Sequence, residues 1–269
     1  MIRFFILIML CNITLISFAQ ELFVYTEPAS NMPSKSIGLR LMNTFMGNND
    51  KTINYHTMPE LMVGLHKNLM IHAQTFLSNR NNSLVAEGAA FYAKYRWLSK
   101  DEVHQHFRMA TYGRFSFNNS DIHQEEIETM GHNSGYEIGI IATQLYKKFA
   151  YNATISVEQA IDNTTANKFP SAQSNQAINY TISLGKLVLP KKYSNYHQTN
   201  FNIMLELLGQ TLAHNKKSFI DVAPSFQFIF NSIARLDIAY RKQLYSNMLR
   251  TAPNGLLLKF EYNFFNVLK

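Results

Sequence analysis

Apolar and polar positions alternate with period two through most of the chain, and helical periodicity is poor. In 103–118, Val103, Gln105, Phe107, Met109, Thr111, Gly113, Phe115 and Phe117 share one face. His104, His106, Arg108, Ala110, Tyr112, Arg114, Ser116 and Asn118 share the other. Segment 149–161 sets Tyr151, Ala153, Ile155, Val157 and Ile161 against Asn152, Thr154, Ser156 and Glu158. In 176–188, Ile178, Tyr180, Ile182 and Leu184 oppose Asn179, Thr181, Ser183 and Gly185. In 254–266, Leu256, Leu258, Phe260, Tyr262 and Phe264 oppose Lys259, Glu261 and Asn263. Successive side chains of a strand point to opposite faces, so each segment predicts a strand with one apolar and one polar face.

About twelve strands follow from this pattern: 36–46, 53–65, 69–78, 84–98, 103–118, 132–146, 149–162, 176–188, 198–210, 218–230, 233–246 and 254–266. Connections at 47–52, 79–83, 119–131, 163–175, 211–217 and 247–253 are longer and rich in Asn, Asp, Ser and Lys. Those at 66–68, 99–102, 147–148 and 231–232 are tight, and 189–197, opened by Pro190, breaks the rule. Ahead of the strands, residues 1–19 carry Arg3, an apolar stretch and small residues at Ser17 and Ala19. They read as a secretory signal peptide cleaved near Ala19–Gln20. Cys11, the sole cysteine, falls inside it, so a disulfide-stapled secreted scaffold is excluded.

Alternation shows only that two faces differ. A soluble sandwich turns its apolar face inward, whereas a transmembrane barrel turns it to lipid and encloses a polar interior. The export signal, the alternating loop lengths and the aromatics near strand ends (Phe91, Tyr95 and Trp97; Tyr262, Phe264 and Phe265) favour the barrel. The expectation is all-β: a closed antiparallel transmembrane β-barrel with short periplasmic turns and longer extracellular loops. Residues 20–35 are expected as a periplasmic N-terminal segment and 36–269 as the barrel domain. Composition agrees. Only 16% of residues are charged, yet the chain holds 20 Phe and 14 Tyr, which suits aromatics facing lipid around a polar lumen.

The chain resembles bacterial outer-membrane β-barrels, particularly uncharacterised transporter-like barrels of the Bacteroidota type. The resemblance rests on the signal, the twelve-strand layout and the aromatic final strand in GLLLKFEYNFFNVLK; NNSDIHQEEIE and RTAPNGLLLKFEYNFF also look like family sequence. It implies residence in the outer membrane, assembly by the barrel-assembly machinery, and lipid as the surrounding partner. The chain departs from the pattern in ending on Lys269 rather than an aromatic residue.

With lipid on the apolar face, parity sends Arg40, Glu60, Lys94, Arg96, Arg108, Arg114, Glu137, Glu158, Glu206, Asp221, Arg235, Asp237, Arg241, Lys259 and Glu261 to the lumen: eight basic and seven acidic groups, together with His104 and His106. Such a lining is either a polar conduit for a small-molecule solute or a salt-bridge network filling a narrow barrel. Near-neutrality argues against strong ion selectivity. The net charge of +7 traces mostly to Lys67, Lys100, Lys147, Lys148, Lys191 and Lys192 in short turns, with no nucleic-acid module.

Three further constellations carry chemistry. His104 and His106 on one face read as two hydrogen-bonded lumen histidines near the periplasmic end; as a metal pair they would need a third ligand, His72 or a carboxylate. The stretch 121–128, continuing to His132, reads as a solvated acidic loop. His132 and Ser134, two apart and aligned by parity with Ile138 and Ile140, resemble the His-x-Ser pair of outer-membrane phospholipases, with Asn118 or Asn119 to orient the His. That family's following Asn-Gly and its Trp motif are absent. No metal, cofactor or phosphate-loop motif is present. The expected function is therefore a channel or transporter. A non-conducting accessory barrel of an envelope complex is the alternative, and a lipid hydrolase using His132 and Ser134 the remote one.

Overall fold

The computed structural model describes residues 23–47, 53–79, 83–192, 197–250 and 253–268; the expected signal peptide lies outside them. The strands are β1 (Ser36–Gly47), β2 (Ile53–His66), β3 (Leu69–Ser78), β4 (Val85–Glu102), β5 (Gln105–Asn118) and β6 (Gly135–Tyr146). They continue as β7 (Phe149–Ala160), β8 (Gln176–Leu189), β9 (Asn200–Leu212), β10 (Ser218–Phe230), β11 (Ala234–Ser246) and β12 (Gly255–Phe264). Each pairs antiparallel with its sequence neighbours, and β1 pairs with β12, which closes the barrel. Closure gives every strand two partners, as an apolar surround demands.

The period-two pattern has the expected consequence. Leu39, Leu61, Phe91, Ile138, Ile140, Ile155, Val157, Ile182, Leu205 and Phe260 stand exposed on the outer surface. Arg40, Glu60, Lys94, Glu158, Glu206, Asp221, Asp237 and Lys259 are buried inside. This is a soluble protein's arrangement reversed, and it suits a barrel embedded in lipid. Trp97, Tyr95 and Tyr151 lie toward one end of the outer wall.

Two strand boundaries move by more than two residues. The turn expected at 99–102 is strand, because β4 runs on to Glu102 in register with β5, Asp101 opposite His106 and Glu102 opposite Gln105. The turn falls at 103–104, where His104 has φ of 66°. The charged run at 99–102 resembles a turn in composition, but it forms a hairpin extension held by Asp101 bonds to His106 and Arg108 at 2.7 and 2.8 Å. In addition β6 begins at Gly135 rather than 132.

The larger correction concerns the segment expected in the periplasm. From Phe23 onward it lies within the barrel as a strap across the lumen and runs into the start of β1 beside the end of β2, where Lys35 N–H donates to the Gly64 carbonyl at 2.7 Å. Alternation could not reveal it, because the strap has no strand period and two prolines, Pro28 and Pro33. Gly64 fits this exit: a Cβ there would overlap the Pro33 carbonyl oxygen and crowd Met32 Cγ at 3.0 Å. Gly64→Ala is therefore expected to loosen the strap while the barrel stays closed. Trypsin should cleave faster after the exposed Lys35, with heat-modifiable gel migration unchanged.

Candidate functional site

The strap is anchored by one carboxylate. Glu206 Oε1 accepts from the N–H groups of Val24 (2.8 Å) and Tyr25 (3.0 Å), and Oε2 from the N–H and hydroxyl of Thr26 (3.0 and 2.8 Å). A strap lacking its own ladder must find partners on the wall, since buried backbone groups are costly unpaired. Further partners are Lys259 Nζ to Val24 O (2.8 Å), Lys94 Nζ to Pro28 O (2.7 Å) and Ala29 N–H to Thr143 Oγ1 (2.8 Å). Phe23 is buried with Met204 and Ala150. Glu27 reaches Arg40 at 2.8 Å and Lys94 at 3.5 Å. Burial opposes its ionisation, but those two cations outweigh it and hold the carboxyl well below its usual 4.5. Its contribution to docking is thus full above pH 4.5 and declines as the pH falls below that value.

The opposite half of the lumen is crossed by the loop 119–134, which the sequence presented as solvated. Ile127 is the reason it folds inward: it is buried with Ala160, Ala177, Leu212, Phe219 and Met248. Its N–H and carbonyl both bond the Gln210 side chain, at 3.0 and 2.7 Å. Glu126 is gripped by Arg250 at 2.8 and 3.0 Å and by Arg241 at 3.2 Å, and both arginines also hold Asp221. Thr129 N–H donates to Glu158 Oε1 at 2.6 Å.

Between strap and loop lies a chamber of about 180 Å³, lined by Tyr25 and Glu27 of the strap, Ile127 and Glu128 of the loop, and wall residues including Tyr92, Tyr112, Arg114, Glu137, Glu158 and Arg241. Its charges do not cancel. Glu27 is matched by Arg40 and Lys94, Glu126 by Arg241 and Arg250, and Glu137 by Arg114 at 2.7 Å. Glu158 is held by neutral donors, the Thr129 N–H, Asn179 and Gln210. The closest ionisable donor to Glu128 is His132 Nε2 at 3.5 Å. Burial, with the Glu126 charge beside it, pushes the Glu128 carboxyl up to about 7. The hydroxyls of Tyr25, Tyr92 and Thr181, which line the same chamber, have no hydrogen-bond partner among the described residues.

The remaining wall charges form one connected set: Arg40 with Glu60 (2.8 Å) and Glu261 (2.9 Å), Arg235 with Glu261 (2.7 Å) and Asp237 (3.2 Å), and Lys259 with Asp237 (3.4 Å). Three expected lumen residues sit elsewhere. His104 is exposed in the β4–β5 turn, His106 pairs with Asp101 near the same tip, and Arg96 lies at the rim, donating to the Lys67 carbonyl. The parity that placed them inside ends where the hairpin leaves the barrel. Arg108 reaches inward to Ser30 of the strap at 2.9 Å.

The His132 and Ser134 pair is not assembled for acyl transfer, and neither residue lies on an outward strand face. Ser134 is buried, its hydroxyl accepting from the Asn118 N–H at 2.8 Å and donating to the Asn118 carbonyl at 3.1 Å. The Asn118 side chain bonds Gly131 and Ser120 rather than a His. Parity fails here because 131–134 is irregular, with Gly131 and Gly135 both at positive φ. Among the described residues no three His, Cys, Asp or Glu side chains gather as a metal group. Glu27 and Arg250 lie outside the sequence expectations, and Glu126 and Glu128 enter them only as members of the acidic loop 121–128, expected to be solvated. The one available signal was Ile127, an apolar residue within an acidic loop.

No family model and no curated protein matches the chain. Among solved structures it is similar to an outer-membrane channel of Pseudomonas putida F1, at 14% identity and a TM-score of 0.56, covering 90% of this chain and 100% of that one. The fold is that of an outer-membrane barrel. OpdL of Pseudomonas aeruginosa (8% identity, TM-score 0.39, 85% of this chain and 98% of that one) and OmpF of Salmonella typhi (8%, 0.36, 85% and 96%) align more loosely.

The Glu206 anchor yields a direct prediction. Replacing it by alanine removes a charged acceptor from three amides, a loss of about 2–3 kcal/mol, or roughly 30- to 160-fold in local opening. Hydrogen exchange at Val24, Tyr25 and Thr26 should accelerate in that range, with the barrel amides unchanged.

Proposed function

We propose that the protein is an outer-membrane channel or transporter for a small solute, in which the strap is the moving gate. The observation that carries this is the central chamber, enclosed on one side by the strap and on the other by the loop. Both closures are held by side-chain hydrogen bonds, ion pairs and a few apolar contacts rather than by the barrel ladder, and the strap's are mostly polar. Such contacts exchange for water at modest net cost, so the strap can leave without opening the wall.

Solute preference follows from the two carboxylates without Lys or Arg partners. Glu128 and Glu158, buried without a Lys or Arg at ion-pair distance among the described residues, favour a hydrogen-bonding solute, and a cation would draw out their charged form; the Tyr25, Tyr92 and Thr181 hydroxyls provide further contacts. The narrower likeness to Bacteroidota-type transporter barrels rests on the sequence alone. The surrounding partner in this reading is outer-membrane lipid.

A second reading, a non-conducting accessory barrel, is favoured by how completely strap and loop fill the lumen. The two separate in planar bilayers. A variant lacking residues 23–34, shown to be folded by heat-modifiable migration, is expected to conduct several-fold more than the full chain and to admit small cations faster than anions into liposomes. A barrel that stays sealed without its strap would favour the accessory reading.

A further inference from the structure

Methionine is unevenly distributed in this barrel. Among the described residues, Met109 of β5 is the only strand methionine on the outer face, and it is half-buried; the exposed large apolar side chains there are Leu, Ile, Val, Phe, Tyr and Trp. Met42, Met46, Met58, Met62 and Met70, all on β1–β3, are instead buried on the inner side. Plain apolar filling would not call for this segregation, since lipid accepts thioethers as readily as other apolar groups. Inside, a thioether contributes what Leu lacks: a polarizable sulfur donor.

The tightest group lies beside the strap exit. Met32 of the strap packs with Met62 and Met70, and each is at most 5% exposed. Met62 is the direct cross-strand partner of His72, whose β3 neighbour on the same face is Met70. Directly opposed residues stand with Cβ atoms about 4.5–5.5 Å apart. The lack of a side chain at Gly38 gives the thioethers room: a Cβ there would stand 2.6 Å from the Met62 methyl and 3.4 Å from that of Met32.

The imidazole is set up as a ligand would be. His72 is 4% exposed, and its Nδ1 is bonded to Glu60 Oε1 at 2.6 Å, which orients the ring. Its Nε2 is buried without a hydrogen-bond partner among the described residues. A carboxylate on one ring nitrogen with the other left open is the outer-shell arrangement of metal-binding histidines. Three thioethers and one imidazole form a soft, uncharged donor set that suits Cu(I), while Mg²⁺ and Ca²⁺ want oxygen ligands.

We propose that Met32, Met62, Met70 and His72 form a binding site for a monovalent soft metal ion, Cu(I), at the strap exit. Because Met32 belongs to the strap and the other three to the wall, bound metal fastens the strap to the barrel. A cavity of about 70 Å³ farther along the same wall, lined by Met42, Met46, Met58, Met130, His56 and His132, repeats the donor types. Binding itself does not depend on the channel reading and is measured without flux.

The test uses the folded full chain in detergent, with Cu(I) supplied under ascorbate against bicinchoninate as competitor, and Ag(I) as the redox-inert probe. Met62→Leu with Met70→Leu, and separately His72→Phe, should each weaken binding at least about tenfold, the scale on which altered metal shells act. Heat-modifiable migration should be retained. Ag(I) should slow trypsin cleavage after Lys35 in the unsubstituted chain and fail to do so in Met32→Leu. Several outcomes would overturn the proposal: no binding by the unsubstituted chain, or unchanged affinity in the leucine pair. Affinity lost only in Met42→Leu with Met58→Leu, or on removing the exposed His104 and His106, would place the metal elsewhere and overturn it equally.

Discussion

The Glu206 carboxylate, facing three successive backbone N–H groups of the strap, is the interaction on which the lumen's organisation depends. A closed barrel satisfies its wall through the strand ladder, but whatever enters the interior brings unpaired peptide groups with it. Glu206 meets the strap's donors, while Lys94 and Lys259 meet its carbonyls. Charges that would otherwise repel or need solvation are thereby turned into docking groups. Wall and strap are matched in chemistry: acceptor to N–H, ammonium to carbonyl, and the Glu27 carboxylate to Arg40 and Lys94.

From that docking the rest follows in order. The strap occupies one half of the lumen, the loop held by Ile127, Gln210 and the two arginines occupies the other, and the chamber is the space between them. Most wall charges are consumed by one another or by these insertions, so a lining near-neutral by residue count is not evenly balanced around the chamber. The Glu128 and Glu158 carboxylates are what remains.

How much of this was legible in the sequence depends on whether a feature has a period. Strands alternate, so the barrel, its strand number and most of the inward set, with Arg96, His104 and His106 as exceptions, are legible from parity alone. The β4–β5 turn was misplaced because 99–102 has turn-like composition, and composition is blind to the partner strand that keeps Asp101 opposite His106. The strap and the loop have no period. Their positions are decided by contacts far along the chain, such as Thr26 to Glu206, Ile127 to Gln210 or Glu126 to Arg250. Ser134 shows the complementary failure: its spacing from His132 is that of a strand, but the local backbone is irregular and turns its hydroxyl into a clasp for Asn118.

The central claim is that the strap closes the lumen and can leave it. Thr26 Oγ1 and Ser183 Oγ lie 2.9 Å apart across the strap–wall contact, and Cys11 is the chain's single cysteine. Conductance of a Thr26→Cys, Ser183→Cys variant, recorded in one bilayer before and after reduction, tests the claim most directly. The account predicts a closed barrel while the disulfide holds and opening events that appear on reduction. Equal conductance in the oxidised and reduced states would contradict it.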